Sequence, residues 1–148
     1  MATSMEPTMG RVTVELELAN YDDLVRVADG TIVASASRHV TVRGVVDTGA
    51  SLLVIPEAVA RQIGLKVTGH TNVSYADGRR ARRDVVGPIL VTCAGRSEVF
   101  SAIAEPSRET ALIGAVVLET LDLIVDCKNG QLIPRDPEST LHEVELLS

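Results

Sequence analysis

The types and the order of the residues from Val45 to Ser51 are suited to acid–base chemistry. Asp47 directly follows two valines and is itself followed by Thr48 and Gly49. A carboxylate at the end of an apolar strand can hold and deprotonate a water molecule, and a glycine lets the loop turn tightly beside it. The same tripeptide also suits an ordinary Asx-type turn between a strand and a helix. On these residues alone, both interpretations are open.

Two segments further along the chain bear on that choice. The strand-like stretches Thr71–Tyr75 and Asp84–Cys93 flank Asp77-Gly78-Arg79-Arg80, a polar segment that predicts the tip of a long β-hairpin. Beyond it, a hydrophobic run from Ala111 to Leu118 is interrupted by the glycine of Leu112-Ile113-Gly114.

These motifs, in this order, resemble those of the retropepsin-like aspartic proteases, the single-domain relatives of pepsin. In that family two hydrophobic residues precede Asp-Thr-Gly, a flap hairpin follows, and a hydrophobic-hydrophobic-Gly element threads beside the active-site loop. Val45–Ala50, the hairpin with its tip at Asp77-Gly78, and Leu112-Ile113-Gly114 fit these three elements. The resemblance covers roughly residues 11–134.

The resemblance implies a role for each residue of the motif. Asp47 would be the general base and acid of peptide hydrolysis, and the N–H of Gly49 would donate toward its carboxylate. The Thr48 hydroxyl would bond across a dimer, with a hydrogen bond inside its own turn as the alternative. The residues expected to bind substrate are Ala50, Tyr75, Asp77, Gly78 and Gly114. For Tyr75, packing within the hairpin is an equally open interpretation.

The chain contains a single Asp-Thr-Gly, whereas this chemistry needs two carboxyl groups. A two-fold dimer supplies the second, because the same aspartate of each subunit meets its copy at the axis. We therefore expect a homodimeric aspartic endopeptidase that activates water between Asp47 and Asp47′ and needs no metal and no cofactor. The alternative is a non-cleaving peptide-binding module, or pseudo-protease, with the same fold.

The fold implied by the resemblance is all-β: a closed retropepsin-like β-barrel with one short helix, a flap hairpin and the hydrophobic-hydrophobic-Gly loop. The helix is expected to start at Pro56 and to end at Gly64. A closing hairpin is expected to turn at Asn129-Gly130 in a type I′ conformation. The strands that we expect before Asp47 form a β-meander and are Arg11–Leu18, Leu24–Ala28, Ile32–Ala36 and His39–Val46.

Three segments are expected along the chain. Residues 1–10 are predicted to be a disordered N-terminus, and residues 11–134 to be the retropepsin-like aspartic protease domain. Residues 135–148 form an acidic C-terminal tail, in which a weak apolar pattern indicates a short helix.

The charge of the chain restricts its partners. A formal net charge of −6 argues against binding to nucleic acid or to an anionic membrane. No apolar run approaches the roughly 18 residues that a membrane span requires, so we expect a cytoplasmic protein acting on a peptide or protein substrate. Against the acidic background, arginines are concentrated between residues 79 and 83. They either recruit acidic residues that flank a scissile bond or form a solvated loop face.

Overall fold

The computed structural model describes residues 11–136. Within that range the chain forms nine strands, three α-helices and a 3-10 turn at Ala34–Ala36. The strands are β1 (Thr13–Asn20), β2 (His39–Val46), β3 (Val54–Pro56), β4 (Lys66–Ser74), β5 (Arg80–Cys93), β6 (Arg96–Glu105), β7 (Ala111–Ile113), β8 (Leu123–Asp126) and β9 (Gln131–Pro134). The helices are α1 (Tyr21–Ala28), α2 (Glu57–Gln62) and α3 (Ala115–Leu121).

Six of these strands close a barrel. Their order is β1-β2-β7-β3-β6-β5, and β5 pairs again with β1. The long strand β5 pairs with β1 through its C-terminal half and with β4 through its N-terminal half. The hairpin of β4 and β5 therefore extends beyond the barrel. The predicted all-β fold with a closed barrel is confirmed, although three helices are present where one was expected.

The barrel interior is filled by aliphatic side chains. Along β1 and the residue before it, Val12, Leu16 and Leu18 are at most 1% exposed, while Glu15 and Glu17 face solvent. This alternation is the period of a strand with one buried face. The other fully buried large aliphatic side chains come from β3, β5, β7 and α3 and from the residues next to β3 and α2, and they are Leu53, Ile55, Ile63, Ile89, Val91, Ile113, Val117 and Leu121.

The expected N-terminal meander is wrong between β1 and β2. Tyr21–Ala28 forms α1, and the stretch predicted as the strand Ile32–Ala36 contains the 3-10 turn. Asn20 begins the helix, since its side chain accepts a hydrogen bond from the N–H of Asp23 at 3.0 Å. Acidic residues in the first turn and Arg26 in the last complement the helix dipole. These end signals outweigh the short apolar run that predicted a strand.

A buried polar cluster fixes α1 against the barrel. The side-chain amide of Asn20 donates to the carbonyl oxygens of Ile63 and Gly64 at 2.8 and 3.2 Å, at the end of α2. The carboxylate of Asp23, only 2% exposed, accepts from the backbone N–H and the guanidinium of Arg38. Because Arg38 directly precedes β2, the cluster positions the strand that ends at Asp47.

The pairing of Asp23 with Arg38 predicts a pH-dependent stability. The Arg38 hydrogen bonds hold the pKa of Asp23 below its ordinary value of 3.8. A lowered folded-state pKa stabilises the fold above about pH 3.8, and that stabilisation is lost as the pH falls through the folded-state pKa. The difference in thermal stability between the wild type and Arg38→Gln should therefore be largest above pH 4 and shrink on acidification. Thermal unfolding from about pH 2.5 to 7 measures it.

Arg61→Gln is the matched control for that series. Arg61 pairs with Glu57 at 3.4 Å on the outer face of α2, and its side chain is 79% exposed. Such a surface pair contributes little to stability. An Arg38→Gln curve that runs parallel to the wild type across the whole pH range would contradict the assigned role of the pair.

The remaining expectations for local structure are mostly met. Helix α2 starts directly after Pro56 and is ended by Gly64 in a left-handed conformation, with φ +67°. The closing hairpin forms from β8 and β9, but its turn is not type I′. Four residues, 127–130, connect the strands, and of these only Gly130 has a positive φ. The Asp126 carboxylate accepts from the N–H and the side-chain amide of Asn129, which favours this longer loop. The expectations for residues 1–10 and 137–148 lie outside the described residues.

Candidate active site

Asp47 lies at the point where β2 leaves the barrel. Strand β2 runs parallel to β7, with Val46 opposite Ile113, and the N–H of Asp47 donates to the Ile113 carbonyl at 3.0 Å. The Gly49 N–H donates to Asp47 Oδ1 at 2.9 Å, and the Ala50 N–H to the Asp47 carbonyl at 3.1 Å. The expected bond from Gly49 is present. The loop thus orients the carboxylate through its own backbone.

Gly114 lets a second segment pass directly beneath this loop. The N–H groups of Ala115 and Val116 donate to the carbonyls of Ala50 and Ser51 at 2.8 and 2.9 Å. A Cβ built on Gly114 would lie 2.8 Å from the backbone N of Leu52 and closer still to its carbonyl oxygen. The φ of Gly114 is −88°, which any residue adopts. Glycine is required here for space, and Gly114 supports the loop from below.

The carboxylate of Asp47 faces open space in the single chain. Asp47, Thr48 and Gly49 are exposed, and Asp47 and Thr48 border a shallow cavity of about 260 Å³. Among the residues that line it, Asp47 is the only acid, and the others are Arg11, Val45, Val46, Thr48 and Leu112. Within residues 11–136 the Thr48 hydroxyl makes no hydrogen bond, so the turn bond considered as the alternative for Thr48 is not formed.

A larger groove of about 390 Å³ opens beside the loop. One wall is the loop after Asp47, the second is the end of β4 next to the hairpin tip, and the third is the end of β6. Most of its lining is apolar, and the residues that line it are Ala50, Ser51, Leu52, Val54, Val73, Ser74, Tyr75, Ile103, Glu105, Arg108 and Leu112. Two of the expected substrate-binding residues, Ala50 and Tyr75, therefore meet in one groove, and Gly114 lies under its floor.

The other two expected substrate contacts, Asp77 and Gly78, form the hairpin tip and do not line that groove. The Asp77 carboxylate accepts from the N–H and the Nε of Arg79 at 2.9 and 2.7 Å, and these bonds lower its pKa. Gly78 has a φ of +90°, which suits glycine. Both residues shape the turn at the end of the flap, and their contact with substrate stays a prediction.

Tyr75 joins the flap to the barrel. Its hydroxyl donates to Glu105 Oε1 at 2.7 Å and accepts from Arg83 Nε at 3.0 Å, while Arg83 also pairs with Glu105 at 2.8 Å. Burial, followed by the Glu105 hydrogen bond, raises the pKa of Tyr75. The Arg79 guanidinium lies 4.7 Å from the centre of the ring. Tyr75 therefore packs within the hairpin, as one interpretation expected, and it also borders the groove, while its contact with substrate stays a prediction.

Tyr75→Phe should loosen the flap. The variant keeps the ring but leaves Glu105 and Arg83 without the hydroxyl between them, so amide hydrogen exchange of residues 73–81 should become about five- to tenfold faster. Hydrogen exchange with mass spectrometry measures this effect. Tyr21→Phe is the matched control, because the Tyr21 hydroxyl has no hydrogen bond within the described range. Equal rates of amide hydrogen exchange in the two variants would contradict the role of the Tyr75 hydroxyl in holding the flap.

Sequence reasoning missed Glu105 and Arg108, which border the groove. No local motif marks either residue, because Glu105 meets its partners 22 and 30 positions away. The four arginines treated as one cluster in fact divide. Arg79 and Arg83 are paired with carboxylates, whereas Arg80 and Arg82 are exposed and line neither the groove nor the cavity at Asp47.

Residues 11–136 contain no group of three or more His, Cys, Asp or Glu side chains placed to hold a metal ion. None of the helices in the same range is long and apolar enough to cross a membrane.

Comparison with known proteins agrees with the resemblance stated from the sequence. A family model described as aspartyl protease matches residues 25–116. The retroviral protease-like domain of Ddi1 from Leishmania major is 18% identical, with 84% of this chain and 90% of that chain covered and a TM-score of 0.52. The protease of simian foamy virus (mac) is 17% identical, with 74% and 93% covered and a TM-score of 0.47. No curated protein matches the chain. The predicted retropepsin-like fold is confirmed.

Proposed function

We propose that this chain, which belongs to the aspartyl protease family, is an endopeptidase. It would hydrolyse peptide bonds in peptide or protein substrates. The water would be activated between Asp47 of one subunit and Asp47 of a second copy. The observation that carries this proposal is the setting of Asp47. Its Oδ1 is held by the Gly49 N–H at 2.9 Å, and its carboxylate is otherwise exposed beside an apolar groove.

The chemistry needs two carboxyl groups in different protonation states. One, ionised, takes a proton from the attacking water, and the other, protonated, polarises the carbonyl and later protonates the leaving nitrogen. Two carboxyls that share one water cannot both ionise easily, so the pair holds one proton and titrates as a unit. Because each subunit contributes one Asp47, either copy can take either role.

Two features of the loop support assembly from two chains. Asp47 is the only acid in its cavity, so the single described chain lacks the second carboxyl. Thr48 is exposed, and its hydroxyl has no partner within residues 11–136, so it is available to a second copy of the loop. A two-fold axis through this face would bring both carboxylates and both threonines together.

A non-cleaving peptide-binding module is the second candidate. It is favoured by the groove of about 390 Å³, which one chain forms without a partner. Such a module would bind peptides as a monomer and would have no use for a second Asp47. The cytoplasmic location expected from the sequence stays a prediction under both candidates.

The test is cleavage of a degenerate peptide library at increasing protein concentration. We expect internal cleavage, detected by mass spectrometry, with a specific activity that rises as dimers form. Light scattering over the same concentrations reports the mass. Cleavage by a species that scattering shows to be monomeric would overturn the paired mechanism. Binding of library peptides without cleavage at any concentration would favour the second candidate.

A further inference from the structure

A second, polar cavity continues from the apolar groove. It has a volume of about 430 Å³, and it shares Tyr75, Glu105 and Arg108 with the groove. Its remaining lining comes from the flap and from the loop after β6, and consists of Arg79, Arg83, Pro106 and Ser107. A peptide lying in the apolar groove would therefore have access to a polar chamber beside the tip of the flap.

The charges around this chamber do not cancel. Arg83 is compensated by Glu105 at 2.8 Å, and Arg79 by Asp77 at 2.7 Å. Arg108 forms no salt bridge within residues 11–136. It therefore leaves one positive charge in the chamber of a protein whose formal net charge is −6.

Arg108 is held in a fixed orientation by the backbone nearby. Its Nε donates to the Thr110 carbonyl at 2.6 Å, and its Nη2 is 3.4 Å from the Thr110 hydroxyl. Its Nη1 has no acceptor in the described chain. Bonds on the Nε side leave the Nη1–Nη2 edge of the guanidinium to offer two parallel N–H groups, the geometry that a carboxylate accepts. The half-buried Arg108 side chain is thus oriented before any ligand binds.

The turn before Arg108 has an uncommon conformation. Ser107 has a φ of +62°, in the left-handed region that residues other than glycine adopt at a cost in energy. Ser107 also lines the chamber. Non-glycine residues in this region occur often where a loop is shaped for binding. The conformation here accompanies the placement of Arg108 at the junction of the groove and the chamber.

We propose that the chamber is a subsite for an acidic side chain of the substrate and that Arg108 is its specificity-determining residue. The inference rests on the proposed binding of peptides in the adjoining groove. Glu105 does not oppose it, since the carboxylate of Glu105 already accepts from Arg83 and from Tyr75. Aspartate or glutamate near the scissile bond would form a charge-assisted pair with Arg108, partly shielded from solvent.

The test separates binding from cleavage. The full chain with Asp47→Asn, which retains peptides uncut, is used to select from a degenerate peptide library, and the retained peptides are sequenced by mass spectrometry. We expect acidic residues at one position to be enriched about five- to tenfold. The enrichment should disappear when Arg108→Gln is added and should be partly retained with Arg108→Lys, which keeps the charge but not the planar edge.

Arg82→Gln is the matched control. It removes an equal charge from the neighbouring flap, but Arg82 is exposed and lines neither the groove nor the chamber. When Arg82→Gln is added to the Asp47→Asn chain, the enrichment of acidic residues should match that of the Asp47→Asn chain alone. Circular dichroism of each variant confirms that the fold is kept.

The outcomes distinguish the subsite from the protease. Arg108-dependent enrichment, in a protein whose wild type does not cut the library, would support the subsite and overturn the endopeptidase proposal. Cleavage by the wild type without acidic enrichment would overturn the subsite alone. Acidic enrichment that Arg108→Gln leaves intact, or that Arg82→Gln removes equally, would show a diffuse charge effect and overturn the role of Arg108. If the Asp47→Asn chain retains no peptide at all, the subsite proposal is also overturned.

Discussion

Asp47→Asn is expected to lower kcat/KM by about 10²–10⁴-fold, the range that a positioned general acid or base contributes. Asparagine has nearly the same shape, and its side-chain oxygen can still accept the Gly49 N–H that holds Asp47 Oδ1 at 2.9 Å. The loop geometry should therefore be kept while the proton-accepting group is lost. Initial rates on a peptide identified from the library measure the effect.

Mixing wild-type and Asp47→Asn chains tests whether the site is shared. If subunits exchange freely, equal mixing leaves only about a quarter of the dimers with two aspartates. The specific activity per total subunit should then fall to about a quarter of the wild-type value, whereas independent subunits would retain about a half. The activity is then measured at several fractions of variant chain. A shared site predicts that activity falls with the square of the wild-type fraction, whereas independent sites predict a straight line.

Asp29→Asn is the matched control for both measurements. Asp29 is exposed and accepts hydrogen bonds from Thr31 in the turn after α1. Asparagine can preserve that turn, so activity should match the wild type. An Asp47→Asn chain that cleaves at the wild-type rate would remove the mechanism, and a linear mixing curve would remove the shared site while leaving catalysis by Asp47 in place.

The elements around Asp47 could be predicted because their signals are local or carried by motifs. Strand β2 shows an apolar approach to the aspartate, and Gly64 and Gly78 mark a helix end and a turn through conformations that few other residues adopt. The family resemblance added the order of these elements and the crossing at Gly114. The sequence alone therefore sufficed for the loop, the hairpin and the barrel class.

The errors occurred where short-range patterns are ambiguous or where contacts are long-range. The apolar residues of Tyr21–Ala28 suit a strand or a helix equally, and the hydrogen bond from Asp23 N–H to Asn20 decides for the helix. Glu105 and Arg108 carry no motif, since their roles depend on a chamber that exists only after β4, β5 and β6 have paired. The proposed specificity residue is for this reason harder to predict than the proposed catalytic residue, which carries a motif.

Gly114→Ala is expected to lower the free energy of unfolding by about 3 kcal/mol, near the upper end of the usual cost of overpacking. The added Cβ would lie 2.8 Å from the Leu52 backbone N and 2.8 Å from the Ser51 carbonyl carbon. Backbone atoms cannot rotate away as a flexible side chain can, so the loop that holds Asp47 must shift. Activity should therefore fall together with stability. Chemical denaturation measures the loss of stability. The protein concentration is kept fixed because the stability of a dimer depends on concentration.

Gly69→Ala makes the same chemical change without the contact. Nothing lies within 4 Å of a Cβ built on Gly69, and its backbone is not in the left-handed region. Its stability should stay within about 0.5 kcal/mol of the wild type. If Gly114→Ala proves as stable as Gly69→Ala, the close crossing beneath the loop is not what positions Asp47. If only Gly114→Ala loses stability and activity together, the glycine holds the catalytic loop in place by leaving space for Leu52.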